Sequence, residues 1–271
     1  VSGRELILAL PARPENVIVV RQAVAGLGEA LGLSPQRLDD LKTVVSEACN
    51  NVILHAYDDD RGPLEVSASS DGSALEVSVS DTGGGFRPET DTDGERSLGL
   101  GLPLIASLSD SFAISGSAGV GTTMTVRFEL DVTQDVPREW NGSVPAETRE
   151  DLELRIVEQM ARPVLARVIG AVAARADFSI DRLNDIVLLG DAVSSQPADQ
   201  FTAGCVEVAI RDGDGTLDVR VGPLVEGAGE RFISQLDIPD GGSLRSLARS
   251  VEVETEQGEG GATAEYLVIE V

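Results

Sequence analysis

Residues 46–57 read SEACNNVILHAY, an apolar run interrupted by Glu47, Asn50, Asn51 and His55, the last being the only histidine in the chain. Toward the N-terminus, Leu38, Leu41, Val45, Ala48 and Val52 recur at i, i+3, i+4 spacing, the pattern of one buried helical stripe. Ser34 can cap such a helix and Pro35 suits its first turn, so a long helix is predicted from there through His55. Glu47, Asn51 and His55 stand at i, i+4, i+8 and stack on a neighbouring face. A carboxylate and an amide stacked in this way suit a metal–phosphate group. The amide oxygen is a hard ligand for Mg²⁺, and the carboxylate can take a proton from an attacking hydroxyl. Taken alone, the same face also fits an ordinary solvated helix surface.

The flanking sequence sets this helix in an α+β context. Arg4 to Leu10 alternates weakly before Pro11 and reads as a strand, and Glu15 to Leu31 has helical spacing closed by Gly32. Leu64, Val66 and Ala68, then Leu75, Val77 and Val79, alternate on either side of Asp71-Gly72 and predict a hairpin. DTGGGF follows at 81–86, where glycines let the backbone approach a flat ligand and Asp81 can accept a hydrogen bond from an exocyclic amine. SLGLGLPLI places Gly99 and Gly101 before a short helix at about 102–108, a natural phosphate cradle, with Arg96 just upstream. GVGTT at 119–123 is a tight turn before the last of two further strands, which end near Leu130. Each glycine motif alone is also an ordinary turn. Helices and paired strands in this order predict two layers, with helices on one face of a mixed or antiparallel sheet.

Bulk composition narrows the function classes. The formal net charge is −25 and Lys42 is the sole lysine, so direct binding to nucleic acid or an anionic membrane is not expected. Cys49 and Cys205 lie in apolar runs without metal-ligand spacing and read as buried hydrophobes of a reducing compartment. No segment is apolar and long enough to span a bilayer and residues 1–10 lack a signal-peptide core, so a cytoplasmic location is expected.

The order E-x-x-x-N on a helix, D-x-G-x-G after a hairpin, G-x-G before a helix and then G-T-T resembles the GHKL (Bergerat-fold) ATPase superfamily. Within it, SEACNNVILHAY looks like the motif of the anti-sigma-factor serine/threonine kinases of bacteria. The resemblance covers about Arg4 to Leu130 and implies a two-layer α/β sandwich that binds ATP and Mg²⁺. It implies that Glu47 is the catalytic base and that Asn51 holds Mg²⁺, with Asn50 and His55 supporting the pocket. Asp81 would recognise adenine, with Gly83 and Gly85 admitting the ring. Gly99 and Gly101 would hinge a lid against the phosphates, Arg96 would neutralise the γ-phosphate, and Thr122 or Thr123 would line the adenine end. Arg21 matches a position that contacts protein partners. The function so implied is an ATP-dependent anti-sigma factor that phosphorylates an anti-anti-sigma protein and so regulates transcription by partner switching, its partners being that protein and a sigma factor. The short acidic segment from Arg87 to Ser97 keeps open a non-catalytic, nucleotide-gated binding module. A sensor histidine kinase is disfavoured, because His55 lies inside the nucleotide motif itself.

The second half repeats the first. SPQRLDDL at 34–41 meets SIDRLNDI at 179–186, LEVSASSDGSALEVSVS at 64–80 meets VEVAIRDGDGTLDVRVG at 206–222, and the run around Arg21 meets that around Arg167. The three matches keep their order at offsets of 142 to 146 residues. The expectation is the GHKL-type fold repeated twice in tandem: residues 1–130 as an ATP-binding kinase-like domain, 131–145 as a linker containing Trp140, and 146–271 as a degenerate copy. In that copy GDAVSSQ replaces SEACNN, leaving Asp191 and Ser195; Pro223 takes the place of Asp81, LVEGAG replaces the glycine loop, and no G-x-G precedes residues 244–248. A fused degenerate copy would stand in for a partner subunit, giving an intrachain pseudo-dimer for which a monomeric chain suffices.

Overall fold

The computed structural model describes residues 5–57, 62–84, 101–117, 119–131, 151–176, 178–195, 198–202, 204–213, 215–235, 244–257 and 263–271. The chain divides into two compact units, Val1–Arg149 and Glu150–Val271.

In the first unit, β1 (Leu6–Pro11) leads into a 3₁₀ turn and helices α1 (Val17–Ala30) and α2 (Pro35–His55). The hairpin β2 (Pro63–Ser70) and β3 (Ala74–Asp81) follows, then α3 (Gly101–Leu108), β4 (Ser111–Ser117) and β5 (Gly121–Glu129). All strand pairs are antiparallel, in the order β1-β2-β3-β5-β4. The α1–α2 corner follows from local sequence. Gly32 takes a left-handed φ of 76°, which a glycine adopts without strain, and its N–H reaches Glu29 O. Ser34 Oγ then accepts the Arg37 N–H and caps α2. Gly28 lets the helices close, since a Cβ there would lie 2.8 Å from Leu38 Cδ2 and 2.9 Å from Leu33 Cδ1. Leu41, Val45, Ala48 and Val52 of the predicted stripe are buried; Leu38, at the N-terminal end, is only partly so.

Strand register sorts the sheet into rows. Leu6, Ala68, Val77 and Val126 form one buried row and Leu8, Val66, Val79 and Met124 the next. Each leucine, valine or methionine of these rows contributes about 1.5–3 kcal/mol by leaving water. The alternate positions carry hydroxyls, with Ser78 Oγ 2.9 Å from Thr125 Oγ1 and Ser80 Oγ 3.0 Å from Thr123 Oγ1. In β3 and β5 this is the apolar-in, polar-out alternation of strands covered on one face, whereas in β1 Ile7 on the other face is buried too. Helix α2 packs against β3 and β5.

In the second unit, β6 (Leu152–Val157), α4 (Glu158–Arg175) and α5 (Ile180–Ser194) precede the hairpin β7 (Cys205–Gly213) and β8 (Thr216–Leu224). Then come α6 (Ala228–Gln235), α7 (Leu244–Leu247), β9 (Ser250–Gln257) and β10 (Thr263–Glu270). The strands are again antiparallel, in the order β6-β7-β8-β10-β9. Helix α6 was not anticipated from the sequence. Its eight residues are few for a periodic signal, and VEGAG at 225–229, which spans its start, reads as a turn. Most of the expected linker, including Trp140, and the segment Arg87 to Ser97 lie outside the described residues. Among the described residues no helix is long and apolar enough to cross a membrane.

Candidate nucleotide site

The second half of α2 is the spine of the site. Glu47, Asn50 and Asn51 are partly buried on it, and His55 is exposed in its last turn. Gly101, the first residue of α3 rather than a residue before it, lies directly opposite. A Cβ built on Gly101 would be 3.4 Å from Glu47 Oε2, 3.8 Å from Asn51 Oδ1 and 4.0 Å from Asn51 Nδ2. The start of a helix, whose first N–H groups have no partner within the helix, therefore faces a carboxylate and an amide across a gap left open by a missing side chain.

At its other end α2 meets the aspartate turn. A Cβ on Gly83 would come within 2.0 Å of Ala56 O, so glycine is required there by the approach of the α2 C-terminus. The Gly84 N–H donates to the same carbonyl at 3.0 Å. Among the described residues nothing lies within 4 Å of a Cβ built on Gly84. Asp81 falls in the row of Leu10 and Leu64 on the apolar face of the sheet and is only 8% exposed. Its Oδ1 accepts the Gly83 N–H at 2.8 Å, and among the described residues Oδ2 takes no hydrogen bond. A carboxylate on an apolar face with an oxygen to spare is costly unless something donates to it. Gly121, at φ 100°, abuts this turn, and a Cβ there would lie 2.0 Å from Asp81 O.

The register separates the two threonines. Thr122 alternates with Met124, Val126 and Phe128 and so stands on the covered face with Asp81. Thr123 stands on the opposite face, where its hydroxyl meets Ser80. Of the two candidates only Thr122 is on the side of the sheet that carries the site. Gly85, Arg96 and Gly99 lie outside the described residues. Arg21, expected to meet a partner, donates from Nη1 to Ser46 Oγ at 2.8 Å and so ties α1 to α2.

Two residues that tie the surrounding elements together were not singled out in the sequence. Tyr57 donates to Pro63 O at 2.6 Å and accepts the Thr82 N–H at 3.0 Å, which pins the aspartate turn to the end of α2. Burial pushes its phenol above the usual range. An aromatic just past a helix end, in a chain with 3% aromatic residues, was the available signal. Arg37 is the other: its Nη1 donates to Leu108 O at 3.2 Å, its Nη2 pairs with Asp110, and its guanidinium lies 4.7 Å from the Phe128 ring centroid.

The residues fit a nucleotide with Mg²⁺. Mg²⁺ binds through few protein oxygens together with substrate phosphates, and Asn51 Oδ1 is such an oxygen beside an anion-accepting helix start.

A family model described as the histidine kinase-like ATPase domain matches residues 10–128. The serine-protein kinase RsbW of Bacillus velezensis is 34% identical over 131 residues, 44% of this chain and 82% of that protein. That of Listeria monocytogenes serotype 4a is 36% identical over 134 residues, 45% of this chain and 85% of that protein. Among solved structures, the RsbU and RsbW domains of Rv1364c from Mycobacterium tuberculosis share 22% identity over 49% of this chain and 34% of that one, at a TM-score of 0.37.

Proposed function

Since the chain belongs to the family of the RsbW serine-protein kinases, we propose that its first unit is an ATP-dependent kinase and anti-sigma factor that phosphorylates a serine or threonine of an anti-anti-sigma protein. The observation that carries this reading is Gly101 at the start of α3, open toward both Glu47 and Asn51. Glu47 accepts the proton of the substrate hydroxyl as its oxygen bonds to the γ-phosphorus and the bond from that phosphorus to the bridging oxygen breaks, releasing ADP. Asn51 Oδ1 would hold Mg²⁺, which when bound would supply neutralising charge to the phosphates. The N–H groups at the start of α3 donate to phosphate oxygens. Asp81 Oδ2 accepts from the adenine amine, while Tyr57 and Gly83 keep the turn in place and Thr122 borders it. In this role Gly83 serves the α2–turn contact; Asn50 and His55 line the same end of α2. Gly85, Arg96 and Gly99 keep the roles their motif positions imply. Arg21 keeps its other guanidinium donors for a partner while Nη1 holds Ser46.

The second unit we read as a degenerate copy that stands in for a partner subunit. Its strand order repeats that of the first, and Ser179 caps α5 as Ser34 caps α2. Arg182 donates to Leu247 O at 3.3 Å as Arg37 does to Leu108 O. Site chemistry is not repeated. Asp191 and Ser195 are exposed, and the Ser195 hydroxyl donates to Ala192 O. Glu265 stands two residues before Leu267 as Thr122 does before Met124, those two pairing with Val221 and Val79. Its carboxylate accepts the Gly227 and Gly229 N–H groups at 2.7 and 2.9 Å. An internal anion thus satisfies the N–H groups that begin α6.

The test is phosphate transfer from ATP to an anti-anti-sigma protein by the wild type, Glu47→Ala and Asn51→Ala. Transfer by the wild type, loss of at least about a hundredfold in Glu47→Ala and loss of Mg²⁺–nucleotide binding in Asn51→Ala are expected. Intact transfer by Glu47→Ala refutes the base assignment. Saturable nucleotide binding without transfer by the wild type would replace the kinase with a nucleotide-gated binding module.

A further inference from the structure

We infer that Arg37, a residue at the far end of α2 from the phosphates, is a positioning residue for the nucleotide site, acting through α3; this rests on the proposed reading of Gly101, Glu47 and Asn51. Helix α3 is apolar in sequence, GLPLIASL, yet buries only Ile105. One side chain is a pivot and does not fix the orientation of a helix. The second point of attachment is at its C-terminal end. There Arg37 Nη1 donates to Leu108 O at 3.2 Å, and Nη2 pairs with Asp110, whose Oδ2 also accepts the Glu129 N–H at 2.7 Å. Stacking over Phe128, a fully buried ring, holds the guanidinium itself in place. A cation at the last carbonyls of a helix is also favoured by the helix dipole. Arg37 therefore ties the first turn of α2, the end of α3 and β5 into one corner.

The lever runs to the chemistry. About 6 Å of helix separates the Ile105 pivot from the N-terminal end, so a 10° swing about Ile105 moves that end by roughly 1 Å. That end is Gly101, placed against Glu47 Oε2 and Asn51 Oδ1. Misplacement by about 1 Å is enough to cost up to a hundredfold in a positioned reaction. The second unit supplies an internal control. Arg182 makes the matching contact to Leu247 O at the end of α7, next to no Glu–Asn pair. There α7 buries both Leu244 and Leu247, so it has a second anchor of its own.

The experiment uses the full chain, with Mg²⁺ and a non-hydrolysable ATP analogue in a calorimeter and thermal unfolding alongside. Arg37→Ala is expected to weaken binding at least tenfold and Arg37→Lys to recover part of that loss, because lysine restores one charged donor without the fork. Arg182→Ala is expected to bind as the wild type does while showing a comparable drop in unfolding midpoint. Binding by a folded Arg37→Ala equal to wild type overturns the inference, and so does equal weakening by Arg37→Ala and Arg182→Ala, which would make the effect one of general stability. If Arg37→Ala does not fold, Asp110→Asn decides: it keeps the Leu108 contact, loses the ion pair, and should weaken binding several-fold, whereas unchanged binding overturns the role. Absence of binding by the wild type overturns the site itself, a result distinct from tight wild-type binding that no Arg37 variant disturbs.

Discussion

Replacing Gly101 by alanine should move stability and nucleotide binding in opposite directions. The position opens α3 and has no left-handed φ, so alanine fits its backbone. The added methyl would meet Glu47 Oε2 at 3.4 Å and Asn51 atoms at 3.8 and 4.0 Å, which is ordinary contact without overlap. Relative to glycine, alanine gains about 0.5–1 kcal/mol from helix propensity and a less flexible unfolded chain. For a unit of this size that raises the unfolding midpoint by about 1–4 °C. The same methyl occupies the gap where the proposed site holds a phosphate and its ion. A methyl 3.8 Å from Asn51 Oδ1 would crowd a Mg²⁺ held by that oxygen. Loss of affinity for Mg²⁺–ATP analogue by at least tenfold, or about 1.4 kcal/mol, is expected. Calorimetric titration and a thermal melt of the same preparation read both effects. A variant that is stabilised and still binds like the wild type would refute the placement of the phosphates between α3 and the Glu47–Asn51 pair.

Two further outcomes test the supporting structure. Gly83→Ala puts a Cβ 2.0 Å from Ala56 O, backbone against backbone, and should cost about 2–3 kcal/mol in chemical unfolding, whereas Gly84→Ala, whose Cβ meets none of the described residues within 4 Å, should stay within about 0.5 kcal/mol of wild type. Asp71 Oδ1 accepts the Ser73 N–H and hydroxyl and the Ala74 N–H, and these bonds, with Arg127 nearby, hold its carboxyl well below the usual range. A depressed folded pKa stabilises the fold above the unfolded value of about 3.9 and loses that contribution as pH falls through the folded one. Asp71→Asn should therefore lower stability at neutral pH by less than about 1 kcal/mol, the side chain being well exposed, with the gap closing in acid; an equal gap at pH 2 and pH 7 in urea titrations would contradict this.

Local sequence determined much of this protein. The Ser34 cap, the Gly32 stop, the α2 stripe and the Asp71-Gly72 hairpin are set by residues within a few positions of one another, and each could be read before any contact was known. Glu47, Asn51 and Asp81 could be named as candidates in the same way, although a stacked acid–amide pair alone also fits a solvated helix face and a glycine run alone an ordinary turn; the order of the motifs along the chain is what singles them out. Tertiary structure decided what depends on distant partners. Only strand register puts Thr122 on the covered face with Asp81 and Thr123 on the other. Only the approach of the α2 C-terminus explains Gly83, which sequence alone assigned to a ligand. The Arg37 clamp joins residues more than seventy positions apart, and no local propensity encodes it. Capping and periodicity act through neighbours in the chain, whereas a site is closed by atoms brought together from different elements by packing.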